Sequence, residues 1–189
     1  MFYRIVTLTA LALGGALLAK QMNKSRSGQS DSSVREEIDV NVPVRVAYDQ
    51  FTQFEEFPRF MESVQEIKQL DDKRLHWRAT VAGKPIEWDA EITEQIPDNK
   101  ISWHSISGTP NGGTVSFRSL SRSRTRVILE MFYEPQDPLE VVGDALGAVR
   151  MEARGNLKNF KEMIELRGQE TGAWRGTITP QTEAGTSMS

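Results

Sequence analysis

The 189-residue sequence predicts an α+β domain: one strand, two short helical pieces, an antiparallel run of six more strands and a long C-terminal helix. Two periodicities carry that prediction. Apolar residues alternate near residue 34 and again from residue 63 to 133, the mark of strands with one buried face. From residue 138 they recur at every third or fourth position, the mark of an amphipathic helix.

Taken in order, "VREEIDVNV" sets Val34, Ile38, Val40 and Val42 on one side and predicts the first strand. Pro43 opens a short helix, because a first helical position has no hydrogen bond for a proline to lose. Val46, Phe51 and Phe54 can share a face of it. Pro58 ends or kinks this helix, with a second short helical piece around it. Strands come next in "SVQEIKQL", "RLHWRATV", "IEWDAEIT", "KISWHSIS", "GTVSFRSL" and "TRVILEMFY". The intervening "DDK", "AGKP", "PDN", "GTPNGG" and "SRSR" are turn formers, so the six strands form a meander of hairpins. In the last segment, Pro138 to Arg167, the residues Leu139, Val142, Leu146, Val149, Ala153, Leu157, Phe160 and Ile164 form one stripe. Gly143, Gly147 and Gly155 interrupt it at about 1 kcal/mol each relative to alanine. A helix carrying that cost is expected to bend over something or to admit a close neighbour.

The ends differ in composition from this domain, which spans residues 34–167. "IVTLTALALGGALLA", Ile5 to Ala19, is uncharged and apolar between Arg4 and Lys20. Roughly 15 residues rising 1.5 Å each span about 22 Å, short of a full bilayer crossing unless Met1–Tyr3 and the flank to Met22 contribute. A retained anchor over residues 1–22 and a cleaved signal peptide both fit; Leu17, where cleavage requires a small residue, favours the anchor. Lys20, Lys24 and Arg26 outnumber Arg4, so a single N-terminal pass would leave the domain in the cytoplasm. Residues 23–33, "NKSRSGQSDSS", read as a flexible linker. Residues 168–189 read as a polar tail, disordered or loosely docked, with Trp174 as its lone tryptophan.

Charge and cysteine content exclude several functions. Of a net charge of −3, the residues up to Ser33 carry +3 and the rest −6, which makes the domain a poor polyanion binder and predicts no nucleic-acid partner. Without cysteine there is no disulfide, thiolate nucleophile or Cys-ligated metal. His76 and His104 alternate with Trp77 and Trp103, so they point outward if the tryptophans point inward, and no further ligands stand at metal-binding spacing. Glu87, Asp89 and Glu91 share the face opposite Trp88, as on a solvated strand; a slip of one residue would instead turn Asp89 and His104 inward together. "GTPNGG" reads as a hairpin turn rather than a phosphate loop. Arg118, Arg122, Arg124 and Arg126 make a basic hairpin tip that could touch anionic headgroups.

The stretches "VNVPVRVAYDQFTQFEEFPRFMESVQEI" (40–67), "AGKPIEWDAEITEQIPDNKISWHSISG" (82–108) and "NLKNFKEMIE" (156–165) resemble the SRPBCC superfamily. That superfamily has the helix-grip fold and includes START-type lipid-binding domains, polyketide cyclase/dehydrase proteins and the coenzyme Q-binding START-like group. The sequence looks most like the membrane-anchored bacterial cyclase/dehydrase-like members. The resemblance implies a curved sheet of about seven strands wrapped on the long helix, with a hydrophobic cavity between them and the short helices closing one end. On that implication Phe54, Phe57, Phe60 and Met61 form the plug. Trp77, Trp88, Trp103 and Phe117 line the cavity from the sheet, and Val142, Leu146 and Val149 line it from the helix. Ordinary core packing would give the same pattern.

The function read from these features is a membrane-tethered, non-enzymatic module that holds a hydrophobic small molecule such as a lipid or quinone. No catalytic residue, metal or cofactor is expected. Two alternatives stand beside it. A polyketide cyclase/dehydrase-type enzyme would need polar groups converging in the cavity, and a surface-interaction protein of the ribosome-associated type would use the outer face.

Overall fold

The computed structural model describes residues 33–81, 84–108, 110–132 and 144–180; the side chains of Val81, Lys84, Phe132, Asp144, Ala145, Leu146 and Ala148 are also outside the description. The chain runs β1 (Ser33–Val40), α1 (Val44–Phe51), a 3₁₀ helix (Phe54–Arg59), β2 (Val64–Gln69), β3 (Arg74–Val81), β4 (Lys84–Ile96), β5 (Lys100–Gly108), β6 (Gly112–Ser121), β7 (Arg124–Phe132) and α2 (Asp144–Arg167). The strands form one antiparallel sheet in the order β1-β7-β6-β5-β4-β3-β2, curved around α2 as a helix-grip α+β fold. All six hairpin strands lie where the alternation predicts them, and β4 is longer than expected at 13 residues.

Register explains which face is buried. Val34, Ile38 and Val40 pair with Met131, Val127 and Thr125 of β7. Val127 and Leu129 pair with Phe117 and Val115 of β6, and Val115 with Ile101 of β5. These side chains are all on one face, and most are buried. Pro43 sits at the cap of α1, one residue before the helix that its fixed φ helps to start. Pro58 lies inside the 3₁₀ helix.

The core at the closed end is aromatic. Phe51 of α1 meets Phe160 of α2 at 4.5 Å between ring centroids, and contacts Phe57, Phe60 and Phe117 at 5.5, 6.1 and 5.4 Å. Ala153, Leu157, Phe160 and Ile164 are buried, so the predicted stripe faces the sheet over this half of α2. Polar contacts fix its pitch: Arg154 donates to Glu36 at 3.0 and 3.2 Å, Asn159 to the Phe60 carbonyl at 3.1 Å, and the Asn41 amide to Glu165 at 2.7 Å. Gly147 and Gly155 have nothing within 4 Å of where a Cβ would stand, so no close neighbour accounts for them.

Two sequence expectations change here. The single N-terminal membrane pass, with the transmembrane helix and membrane localisation it implied, is corrected: among the described residues no helix is long and apolar enough to cross a membrane. The physical reason lies in the roughly 15 uncharged residues, fewer than the ~20 a crossing needs; residues 1–32, which hold that stretch and all of the linker but Ser33, lie outside the described residues. At the other end, polar composition predicts a disordered or loosely docked tail, yet residues 168–180 run back across α1. β4 outruns β3 beyond Glu91, leaving unpaired backbone that sheets tend to cover. Gln95 and Ile178 cover it by exchanging backbone hydrogen bonds of 2.8 and 2.9 Å. Residues 181–189 are outside the description.

Replacing Phe160 by alanine removes the ring that joins helix to plug, and should lower unfolding free energy by about 3–5 kcal/mol in a urea titration. A loss below about 1 kcal/mol, the size of a single-methylene change, would contradict the packing.

Candidate functional site

The concave face of β3, β4 and β5 carries three tryptophans. Among the described residues, the close backbone approach of α2 to the sheet is at β1, at the opposite edge from β2. Trp77 stands opposite Trp88 in the β3–β4 pairing and Trp103 opposite Ile92 in the β4–β5 pairing. All three alternate with outward residues and share a face with buried Leu75, Ala79, Ala90, Ile92 and Ile101. The predicted inward register therefore holds, and the one-residue slip that would bring Asp89 and His104 into the cavity does not occur.

Ring geometry is specific. Trp77 and Trp88 stack with centroids 5.3 Å apart and planes 15° apart. Phe57 of the plug meets Trp77 edge-on at 5.9 Å and 72°. Trp103 lies over Gly113 of β6: a Cβ there would stand 2.8 Å from the ring carbon Cζ2, so only glycine admits the indole in this position. Trp77 Nε1 is buried and has no hydrogen-bond partner, the sole such side-chain atom among the described residues. A buried donor without an acceptor costs about 1–3 kcal/mol, and proteins seldom leave one without a reason.

The sequence-predicted lining residues separate into groups. Trp77 and Trp103 are half-buried and pack against the core, as does Val149 of α2, and Trp88 is half-buried on the Trp77 ring. Phe54, Phe57, Phe60 and Phe117 are fully buried, and Tyr48 and Phe51 contact Phe117 from α1. Leu146 lies in the first turn of α2 with its side chain outside the description, and Val142 lies outside the described residues altogether.

Two polar features escaped the sequence reading. Glu36 falls between Val34 and Ile38 on the inward face, and Arg154 and Arg150 of α2 hold its carboxylate. The signal was the gap at residue 36 in the alternation. On the outer face, Asp89 Oδ1 lies 2.7 Å from His76 Nδ1, and its Oδ2 accepts from Ser107 Oγ at 2.9 Å. His76 and Asp89 are directly opposed in the hairpin, so counting back from "AGKP" would have paired them. The His76 and Ser107 hydrogen bonds hold the Asp89 carboxyl below the usual aspartate value. On the basic hairpin tip, Arg124 and Arg126 pair with Asp39 at 2.7 Å, and Arg118, Arg122 and Arg124 are exposed. Among the described residues no group of three or more His, Asp or Glu could hold a metal ion.

Residues 40–162 match the protein family described as polyketide cyclase / dehydrase and lipid transport. An uncharacterised 17.2 kDa protein of Streptomyces lincolnensis, from the melC2–rnhH intergenic region, is 48% identical over 148 residues, 78% of this chain and 99% of that protein. Among solved structures, DR_A0006 of Deinococcus radiodurans is 25% identical with a TM-score of 0.57, covering 71% of this chain and 98% of its own. The Zhui aromatase/cyclase of Streptomyces sp. R1128 is 13% identical with a TM-score of 0.64, covering 75% and 98%; at that identity the likeness shows the fold alone. The fold is thus a hydrophobic-cavity fold related to the polyketide cyclase family. The family match overturns the expectation of a non-enzymatic module. An apolar stripe and inward tryptophans describe a cavity equally well whether or not chemistry accompanies binding, and so could not separate the two.

Because its folded-state value is depressed, the Asp89 carboxylate adds stability above its unfolded value, and that contribution is lost as pH falls through the folded value. Carboxyl-carbon NMR should find Asp89 titrating below 3.8, and the variant His76→Ala should move it up toward that value. A wild-type Asp89 at or above 3.8 would refute the pairing.

Proposed function

The chain belongs to the polyketide cyclase / dehydrase and lipid transport family, and on that premise we propose that it is a cyclase/dehydrase-type enzyme acting on a hydrophobic, carbonyl-bearing chain held against the tryptophan face. The observation that carries the reading is the Trp77 indole N–H: a buried donor without an acceptor, on the concave face, at the end of a stacked pair of indoles. A substrate carbonyl that reached it on a small ring displacement would supply the missing acceptor. The flat faces of Trp88 and Trp103 would take up the apolar surface, at about 25 cal/mol per Å² buried.

The chemistry asks little of the protein beyond position. A carbon flanked by two carbonyls gives up a proton readily, so a folded poly-ketone can add that carbon to a third, more distant carbonyl. A carbon–carbon bond forms, the proton passes to the new alkoxide, and the hydroxyl then leaves with a neighbouring hydrogen as water. Holding the two reacting carbons together in one folded conformer is the large term, because it replaces a search among many chain conformations. A hydrogen bond from Trp77 to the carbonyl under attack would grow stronger as negative charge develops on its oxygen. Tryptophan donates but cannot accept a proton, so its role is electrophilic and not basic.

The test is turnover of a tri-β-ketone N-acetylcysteamine thioester, with mass spectrometry for the cyclised product that has lost water. The chain should produce it faster than the spontaneous reaction. Trp77→Phe keeps a six-membered aromatic ring but removes the N–H with the five-membered part of the indole, and should cut kcat/KM about tenfold or more, one hydrogen bond alone being worth ~1.4 kcal/mol. Product formation no faster than in buffer would overturn the enzymatic reading.

A further inference from the structure

Arg167 ends α2, and Gly168 reverses the chain with φ +73 while its amide bonds to the Ile164 carbonyl at 2.8 Å. The segment from Gly168 onward lies beyond residue 162, where the family match stops. Up to Pro180 its backbone crosses the outside of α1 and is tied at each step. The Thr171 amide donates to Gln50 Oε1 at 3.1 Å, and the Trp174 amide donates to Thr52 Oγ1 at 2.9 Å. Arg175 donates to Asp49 at 2.7 Å and forks onto both oxygens of Asp98 at 3.1 and 2.8 Å. Ile178 is buried and pairs with Gln95.

Two of the groups it binds are not surface groups. Asp49 and Gln50 are completely buried, and Asp98 sits in the left-handed region at φ 60 in the β4–β5 turn. A buried carboxylate needs a countercharge, and removing one partner of such a pair typically costs several kcal/mol. Arg45 reaches Asp49 only at 3.3 Å from an exposed position, so Arg175 is the principal partner.

These ties lead inward. Gln50, whose Oε1 accepts from Thr171 and from Arg167 at 2.9 Å, donates through Nε2 to Glu56 at 3.3 Å. Glu56 belongs to the 3₁₀ helix and precedes Phe57, whose ring meets Trp77 edge-on. Phe51, on the same helix as Asp49 and Gln50, also touches Phe57. The path from strap to tryptophan is therefore continuous: Thr171, Gln50, Glu56, Phe57, Trp77.

We propose that Gly168–Pro180 is a positioning strap that, clasped by Arg175 on Asp49 and Asp98, fixes Phe57 against Trp77 and so sets the geometry of the ligand-facing indole stack. Its effect on the free protein stands by itself; its effect on affinity rests on the function proposed above. Strap docking and ligand binding are then linked equilibria, each favouring the other by the same factor.

Two full-length variants loosen the strap at separate points. Asp49→Asn combined with Arg175→Met removes the clasp without leaving a buried charge unpaired, and Trp174→Ala removes the partly buried ring by which the strap packs against the core. In the ligand-free protein, labelled-indole NMR should show the Trp77 N–H signal shifted or broadened in both variants, with Trp103 unmoved. Loss of stability alone would leave the native Trp77 signal where it was. With 2-acetonaphthone as the ketone probe, affinity should fall about fivefold or more in both. A Trp77 signal coincident with wild type in either folded variant would overturn the strap's role. If the wild-type chain itself does not bind 2-acetonaphthone, the function reading fails, and the ligand-free spectra still decide the strap.

Discussion

Width is the constraint on which the rest of the molecule depends. Seven strands about 4.8 Å apart span roughly 29 Å between the outer two, while a helix with its side chains is about 10 Å across. One 24-residue helix therefore cannot cover the apolar face of this sheet. The sheet curves, α2 settles against β1, and α1 with the 3₁₀ helix plugs one end through Phe51, Phe57 and Phe60. The inner face of β3 to β5 carries three tryptophans, the largest side chains available, and one of them keeps a buried donor without a partner.

The two ends of the fold are built differently for the same reason. The closed end combines aromatic packing with a buried polar network: Tyr48 accepts from Gln95 at 3.1 Å, and burial pushes its phenol above the usual value. Arg175 spans Asp49 and Asp98 beside the Tyr48 ring, and this pairing holds its guanidinium charged against partial burial. The tryptophan end has stacked rings and a glycine, Gly113, whose missing side chain makes room for an indole. Rigidity at one end and adaptable aromatic surface at the other is a division that suits a site which must hold a flexible apolar chain in one conformation.

Much of this could be read in the sequence because it depends on local periodicity. Alternation located every strand and put Trp77, Trp88 and Trp103 on the buried face; the spacing of Ala153, Leu157, Phe160 and Ile164 located the helix. The features that could not be read depend on pairing between distant residues. Arg175 and Asp49 are 126 positions apart, and nothing local distinguishes this arginine from a solvated one, so a tail that is strapped down has the composition of one that is free. Glu36 failed to register because a single carboxylate breaks an apolar alternation only slightly, and its partners lie on α2 more than 110 residues away. The step from cavity to chemistry was illegible for another reason: fold periodicity fixes where side chains point and says little about what happens to a bound molecule.

The central claim is that the Trp77 indole faces a ligand site rather than sealed core, and the most direct measurement is the indole N–H spectrum of the four tryptophans during titration with 2-acetonaphthone. The account predicts that the Trp77 signal moves downfield as its N–H gains an acceptor, that Trp88 and Trp103 respond to the nearby ring, and that Trp174 on the strap moves least. A titration in which Trp77 stays fixed while the probe binds elsewhere would contradict it.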